Sequence, residues 1–293
     1  RSKDNNGSYS SGVTVNFNGT IVPGFLGDRG VFAGGDILNH IDYVTISTTG
    51  NAIDFGDLRA GLQQQGSCSN GSRGLFGGGY STYSNDKTND IDYITISTLG
   101  NSVFFGDLTM VRGERPGSCS DESRGLFGGG YNTTFTSSID YVTISTTGNG
   151  TNFGSLTQSK SNLAACSDGT RGVFGGGFAA PYYASGVIEY ITISTTGNAA
   201  SFGSLTVVRF GITSCSDGTR GLFAGGNTQM DTIDYVTIST TGNAIDFGNL
   251  TVARNYLASC SNGSRGIFGG GPGNVIDYVT ISTTGNAIDF GNL

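Results

Sequence analysis

The eighteen residues from Ile233 to Leu250, IDYVTISTTGNAIDFGNL, recur from Ile276 to Leu293, and close variants begin at Ile41, Ile91, Ile139 and Ile188. Six copies of one unit therefore occupy most of the chain. A repeat of this length governs the fold before any local propensity does, because a single copy cannot bury its own apolar face.

Each copy divides into four runs that read as strands. In the last copy the first run is Arg254 to Ser261, and Asn262-Gly263 then leads into Arg265-Gly-Ile-Phe-Gly-Gly-Gly271. The third run, Ile276 to Ser282, is β-branched and aromatic, and the fourth is Ala287 to Gly291. Asn-Gly, Asp-Gly and Thr-Gly-Asn between short apolar runs signal hairpins, since Gly and Asn tolerate positive φ. The Arg-Gly landmarks at Arg29, Arg73, Arg124, Arg171, Arg220 and Arg265 lie roughly 45 to 50 residues apart, a period typical of four-stranded propeller blades. No run shows helical periodicity.

These residues resemble the kelch family. Each unit has an apolar strand ending in a glycine pair, such as Gly78-Gly79 or Gly270-Gly271, followed by a strand tyrosine at Tyr43, Tyr93, Tyr141, Tyr190, Tyr235 or Tyr278. Where that family places Trp, this chain has Phe55, Phe105, Phe153, Phe202, Phe247 and Phe290. The resemblance implies an all-β, six-bladed β-propeller of four-stranded kelch-like blades. The expected blades are 20–58, 59–108, 109–156, 157–205, 206–250 and 251–293, after an N-terminal arm over 1–19. In that arm Val13 to Phe17 reads as a surplus strand, expected to pair with a sheet edge of this chain or of a second copy. The wording DYVTISTTGNAIDFG also resembles repeat proteins of tailed-phage virions, which implies a structural or tail-fibre role at a virion or extracellular surface.

Charged residues make up 13% of the chain and its net charge is −7. A sparse, acidic charge set argues against nucleic acid as a partner. No apolar run is long enough to cross a bilayer as a helix. Cys68, Cys119, Cys166, Cys215 and Cys260 each precede a landmark arginine by five residues, with Gly24 in that place in the first unit. Equivalent positions in a propeller do not meet in pairs, so small buried residues are expected rather than disulfides or a metal ring.

The segments between the glycine pair and the third strand vary most and share one side of the expected disc with the blade-to-blade linkers. They carry Tyr80, Tyr83, Tyr131, Phe135, Phe178, Tyr182 and Tyr183, the expected ligand-binding residues for a cell-surface glycan or protein. The opposite side is uniform. There Arg29, Arg73, Arg124, Arg171, Arg220 and Arg265 form a possible anion-binding ring near the axis, or pair with the acid or amide of the preceding turn. Asp42, Asp92, Asp140, Glu189, Asp234 and Asp277 form an acidic ring towards the varied side, weakly suggestive of calcium. The single histidine, His40, lies at a loop and suits surface more than catalysis. The reading is therefore a non-catalytic, cofactor-free binding or structural module, with a self-polymerising fibre subunit as the alternative.

Overall fold

The runs RGLFG, IDYIT and VFFGD are rich in residues that fill a pleated surface, and Gly-containing turns separate them. The computed structural model describes residues 13–14, 27–35 and 38–293. It is all-β, with six four-stranded antiparallel sheets and two three-stranded ones. The second sheet sets the pattern, with strands Gly66–Ser69, Arg73–Gly77, Asp90–Thr95 and Val103–Asp107 in sequential order. The Cys strands Gly117–Ser120, Ala164–Ser167, Thr213–Ser216 and Leu257–Ser261 hold one edge of the next four sheets. The Phe strands Thr151–Ser155, Ala200–Ser204, Ile245–Arg254 and Ile288–Asn292 hold the other edge.

The first sheet corrects the expectation of a surplus strand. Its order is Val13–Thr14, Arg29–Ala33, His40–Thr45 and Ile53–Asp57. Val13 stands opposite Ala33 as Gly66 stands opposite Gly77, so Val13–Thr14 takes the place of a Cys strand. Among the described residues the sheet has four strands. A strand edge is satisfied by any extended backbone in register, so the Ser-Cys signature is not needed to fill it. Residues 15–26, including Gly24, lie outside the described residues.

The third and fourth strands of every four-stranded sheet share one irregularity. In the first, Ile41 pairs with Gly56 and Asp42 with Asp54, which leaves Phe55 as the extra residue of a β-bulge. The bulge turns the Phe55 ring into the core, edge-on to Tyr43 at 6.2 Å between centroids. It also needs glycine: Gly56 has φ +150°, and a Cβ there would sit 2.5 Å from the Gly100 carbonyl oxygen of the second sheet.

The second strand is buried along nearly its whole length; in Arg73–Gly77 only the arginine is partly exposed. Alternate residues face opposite neighbours. Phe76 joins a cluster with Val31, Phe55 and Leu58 of the first sheet, whereas Leu75 joins Phe127, Val142 and Ile144 of the third. Six such clusters occur, each shared by two successive sheets, and the last joins Cys260 and Ile267 of the sixth sheet to Phe32, Val44 and Ile46 of the first. Burying one phenylalanine or leucine in such a seam contributes about 1.5–3 kcal/mol.

Polar contacts repeat the same succession. The turn asparagine of each sheet accepts a hydrogen bond from the outer strand of the sheet before it, as from Asp57 N to Asn101 Oδ1 at 3.0 Å and Asp107 N to Asn149 Oδ1 at 3.1 Å. The series returns on itself, since Asn292 N donates to Asn51 Oδ1 at 3.1 Å. The Cys strands are linked side by side through hydroxyls: Ser120 Oγ donates to Ser69 O, Ser216 Oγ to Ser167 O and Ser261 Oγ to Ser216 O, each at 2.7 Å.

Candidate functional site

The landmark arginines act within this framework as clasps between sheets. Each backbone N–H from the second unit onward donates to the turn acid or amide, as Arg171 does to Asp168 Oδ1 at 2.6 Å. The guanidinium does something else. It lies over the tyrosine of its own sheet, 4.7 Å from the centroid for Arg73 and Tyr93, and its Nη1 donates to the next sheet's carbonyls, Ile144 O at 3.2 Å and Ser145 O at 2.9 Å. All six follow this scheme: Arg29 reaches Ile96, Arg124 reaches Ile193, Arg171 reaches Ile238, Arg220 reaches Ile281 and Arg265 reaches Ile46. They point away from the Cys strands. The cation–π contact and a carbonyl on each neighbour use them as struts.

The acidic series is likewise structural. Asp140, Glu189, Asp234 and Asp277 are fully buried, and each pairs with a cation that precedes its sheet in the chain. The pairs are Arg112–Asp140 at 2.9 Å, Lys160–Glu189 at 2.6 Å, Arg209–Asp234 at 2.9 Å and Arg254–Asp277 at 2.5 Å. Arg59 makes the equivalent contact with Asp92 at 2.6 Å and is more exposed, so it also reaches Asp90 at 3.0 Å. A threonine completes each of the four buried sets, as Thr109 donates to Asp140 through both N and Oγ1, whereas Ser102 Oγ donates to Asp92. Desolvation pushes the cations Arg112, Lys160, Arg209 and Arg254 down from their ordinary values, and the facing carboxylates oppose it. Among the described residues no group of acids, histidines and cysteines is arranged to hold a metal.

The linkers and the varied segments come together on one side. Leu62–Gln63 pairs with Tyr80–Ser81, which pairs in turn with Asp86–Lys87, and Lys160–Ser161 pairs with Phe178–Ala179, which pairs in turn with Tyr183–Ala184, as the two three-stranded sheets. Four of the seven expected aromatics converge here. Phe135 lies 5.1 Å from Tyr131, 5.9 Å from Phe178 and 5.6 Å from Tyr182 between ring centroids. Phe210, from the linker into the fifth sheet, packs on Phe178 at 4.8 Å, and Lys87 Nζ sits 4.4 Å over Tyr131. Tyr182 is 72% exposed. Its φ of 106° lies in the region that favours glycine and is costly for a residue with a Cβ. Tyr80, Tyr83 and Tyr183 have no place in the cluster: Tyr80 Oη donates to Asn85 O at 2.9 Å, and Tyr83 is 91% exposed.

Where the Cys strands converge, the repetition breaks. The residue one or two places before the strand is Gln64, Arg115, Asn162, Gly211 or Tyr256, and all five have φ between +53° and +65°. Their backbones form a collar: Arg115 N donates to Gln64 O, Gly211 N to Asn162 O and Tyr256 N to Gly211 O, each at 2.8 Å. Arg115 then reaches from the third sheet's linker to the sixth sheet, where its Nη2 donates to Leu257 O at 2.5 Å. Burial pushes its guanidinium down to about 10, opposed by Tyr256. Beneath it lies a cavity of about 40 Å³ lined by Gln65, Arg115, Ser67, Ser118, Ser214 and Ser259 among others. That space suffices for a few water-sized groups.

Neither Arg115 nor Phe210 was singled out by sequence reasoning. The signal for both was present: they stand where equivalent positions differ in every unit. His40 Nδ1 lies 3.5 Å from Asp57 Oδ1 with both side chains exposed, and the five thiols are buried and free. A scan against protein-family models finds none that matches the chain, and a search of curated proteins finds no match either.

Proposed function

We propose that the six four-stranded sheets are the blades of a closed, kelch-like six-bladed propeller, and that it is a non-catalytic module binding a surface glycan. The six seams shared by successive sheets, with the last returning to the first, support the closed arrangement. The observation that carries the binding role is the aromatic cluster. Tyr131, Phe135, Phe178, Tyr182 and Phe210 come from three units and share one patch on the varied side, where a loop costs nothing in repeat packing. An exposed ring fixed by its neighbours stacks on a sugar face with little ordering cost.

By its resemblance to tailed-phage repeat proteins, the module belongs on a virion fibre or another extracellular appendage. The self-polymerising alternative is weaker, because Val13–Thr14 already pairs with Arg29–Ala33 of its own chain. Glycan-array binding by the purified chain and by Tyr182→Ala tests the role. Replacement should weaken binding by about tenfold. Unchanged binding would remove the cluster from recognition.

A further inference from the structure

Two of the varied segments are built alike. Ser81 pairs with Asp86 in the second unit and Ala179 with Tyr183 in the fourth, so each is a short hairpin. The first strand of each lies along its unit's linker, Leu62–Gln63 or Lys160–Ser161. The third unit has a reduced version, in which Tyr131 bridges both Gly113 and Phe135. Three successive units thus raise a hairpin from the varied side.

The hairpins touch in order. Lys87 Nζ reaches from the second unit to the third, where it donates to Asn132 O at 2.5 Å and lies 4.4 Å from the Tyr131 centroid. A Cβ on Gly113 would sit 2.6 Å from Lys87 Cδ, so that glycine leaves room for the crossing stem. Phe135 then meets Phe178 and Tyr182 of the fourth unit, at 5.9 and 5.6 Å between centroids. The row runs unbroken from one hairpin to the next.

Its two ends carry the same residue. Tyr83, 91% exposed, stands in the turn 82–85, and Tyr182, 72% exposed, stands in the turn 180–182. Both turns are tied down. Tyr83 N donates to Ser81 Oγ at 3.2 Å and Tyr80 Oη to Asn85 O at 2.9 Å, while Tyr182 N donates to Ala179 O at 2.7 Å. A ring on a bonded turn loses little freedom when a flat partner stacks on it. Between the ends, Asn132, Thr133 and Thr134 are exposed and offer amide and hydroxyl groups.

Charge is nearly absent. Asp86 and Lys87 are the only acid and the only base of the three hairpins, and Lys87 is engaged at Asn132. With a net charge of −7 on the chain, nothing here attracts a polyanion. Rings at both ends and hydroxyls between them suit a ligand that itself repeats a ring bearing hydroxyls. One sugar covers one end, whereas a chain of sugars reaches both.

We propose that the three hairpins hold the interior of a neutral, linear polysaccharide, laid from Tyr83 across Asn132–Thr134 to Tyr182. This rests on the glycan-binding reading of the aromatic cluster and adds the polymer class, the side-on mode and a second stacking residue.

The test is calorimetric titration of the full chain with cello-, manno-, xylo- and malto-oligosaccharides, from disaccharide to octasaccharide, and with oligogalacturonate as the anionic control. At least one neutral series should bind, the octasaccharide at least about tenfold more tightly than the disaccharide. Tyr83→Ala should remove that gain and leave the disaccharide unchanged, and Tyr83→Phe should keep it. Tyr182→Ala should weaken both lengths. Equal binding at every length, or an octasaccharide indifferent to Tyr83→Ala, overturns the row and leaves the Tyr182 platform standing. Indifference of both lengths to Tyr182→Ala overturns the platform itself. No binding in any neutral series, or tighter binding of oligogalacturonate, overturns the neutral polymer, and the glycan reading of Tyr182 then stands or falls on the array.

Discussion

Arg265 Nη1 donates to Ile46 O at 3.2 Å and Ser47 O at 2.8 Å, which ties the last sheet to the first across most of the chain. The same guanidinium lies 4.6 Å from the Tyr278 centroid. No peptide bond joins these two sheets, so this strut works where covalent continuity is missing. Arg265→Met should cost about 1–3 kcal/mol in urea unfolding, from a charged hydrogen bond and a cation–π contact. Arg124→Met, at a junction that the chain also crosses, should cost less in unfolding rate. Equal effects on rate would mean that the closing seam is no weaker than the others.

The buried pairs predict a large asymmetry between breaking and replacing. Asp140→Asn leaves Arg112 as a fully buried cation and should cost about 3–5 kcal/mol, whereas Arg112→Met combined with Asp140→Leu should recover most of it. A loss below about 1 kcal/mol for Asp140→Asn would place water at the pair.

At the seams, glycine and cysteine are complementary. A Cβ on Gly125 would lie 2.5 Å from Cys68 Sγ, and Gly172 stands 2.7 Å from Cys119 Sγ in the same sense. Gly125→Ala should therefore destabilise by about 1–3 kcal/mol through overpacking, and Cys68→Ala in the same chain should relieve part of it. Additive losses in the double variant would show that backbone strain, not the sulfur, sets the cost.

The thiols predict steep alkaline destabilisation. Burial pushes all five above the ordinary value of 9.0 in the folded chain. The folded state thus keeps protons that the unfolded chain releases. Their contribution is whole below pH 9.0 and is lost as pH rises beyond it, by about 1.4 kcal/mol per pH unit for each thiol. Urea midpoints measured from pH 8 upward should fall steeply, and Cys119→Ala should flatten the slope by one thiol's share. An unchanged slope would mean that other groups carry the alkaline limit.

The N-terminal strand supplies the fifth prediction. Val13–Thr14 satisfies one edge of Arg29–Ala33, so removal of residues 1–19 should lower the unfolding midpoint. An unchanged midpoint would show that the pairing adds nothing.

Periodicity made the six sheets, their strand order, the buried Cys strands and the inward phenylalanines of the other edge legible, because each depends on residue types that recur at fixed spacing. Val13–Thr14 was misjudged since its role lies in backbone register, and it shares no Ser-Cys with Ser67-Cys68 or Ser118-Cys119. The arginine series was visible, but its partners are carbonyl oxygens of Ile144 or Ile193, which leave no trace in side-chain identity. The linker cations were missed for another reason. Arg112, Lys160, Arg209 and Arg254 each stand seven residues after a strand phenylalanine and so were there to read, but they lie in connections that otherwise differ, and Arg59 breaks the spacing by standing four residues after Phe55. Four of the seven chosen aromatics met, while Phe210 was passed over because its neighbours in the linker read as ordinary connection.

The turn asparagines give the molecule a direction. Asn101 secures the strand of Asp57, and Asn149 secures that of Asp107, so each unit fastens the one made before it. On a ribosome the fastening order and the order of synthesis coincide. Every emerging unit finds a docking edge already exposed, and the waiting strand is shielded as soon as its successor appears. The strand of Asn292 is fastened in the opposite order, for Asn51, which accepts from it, was made long before it.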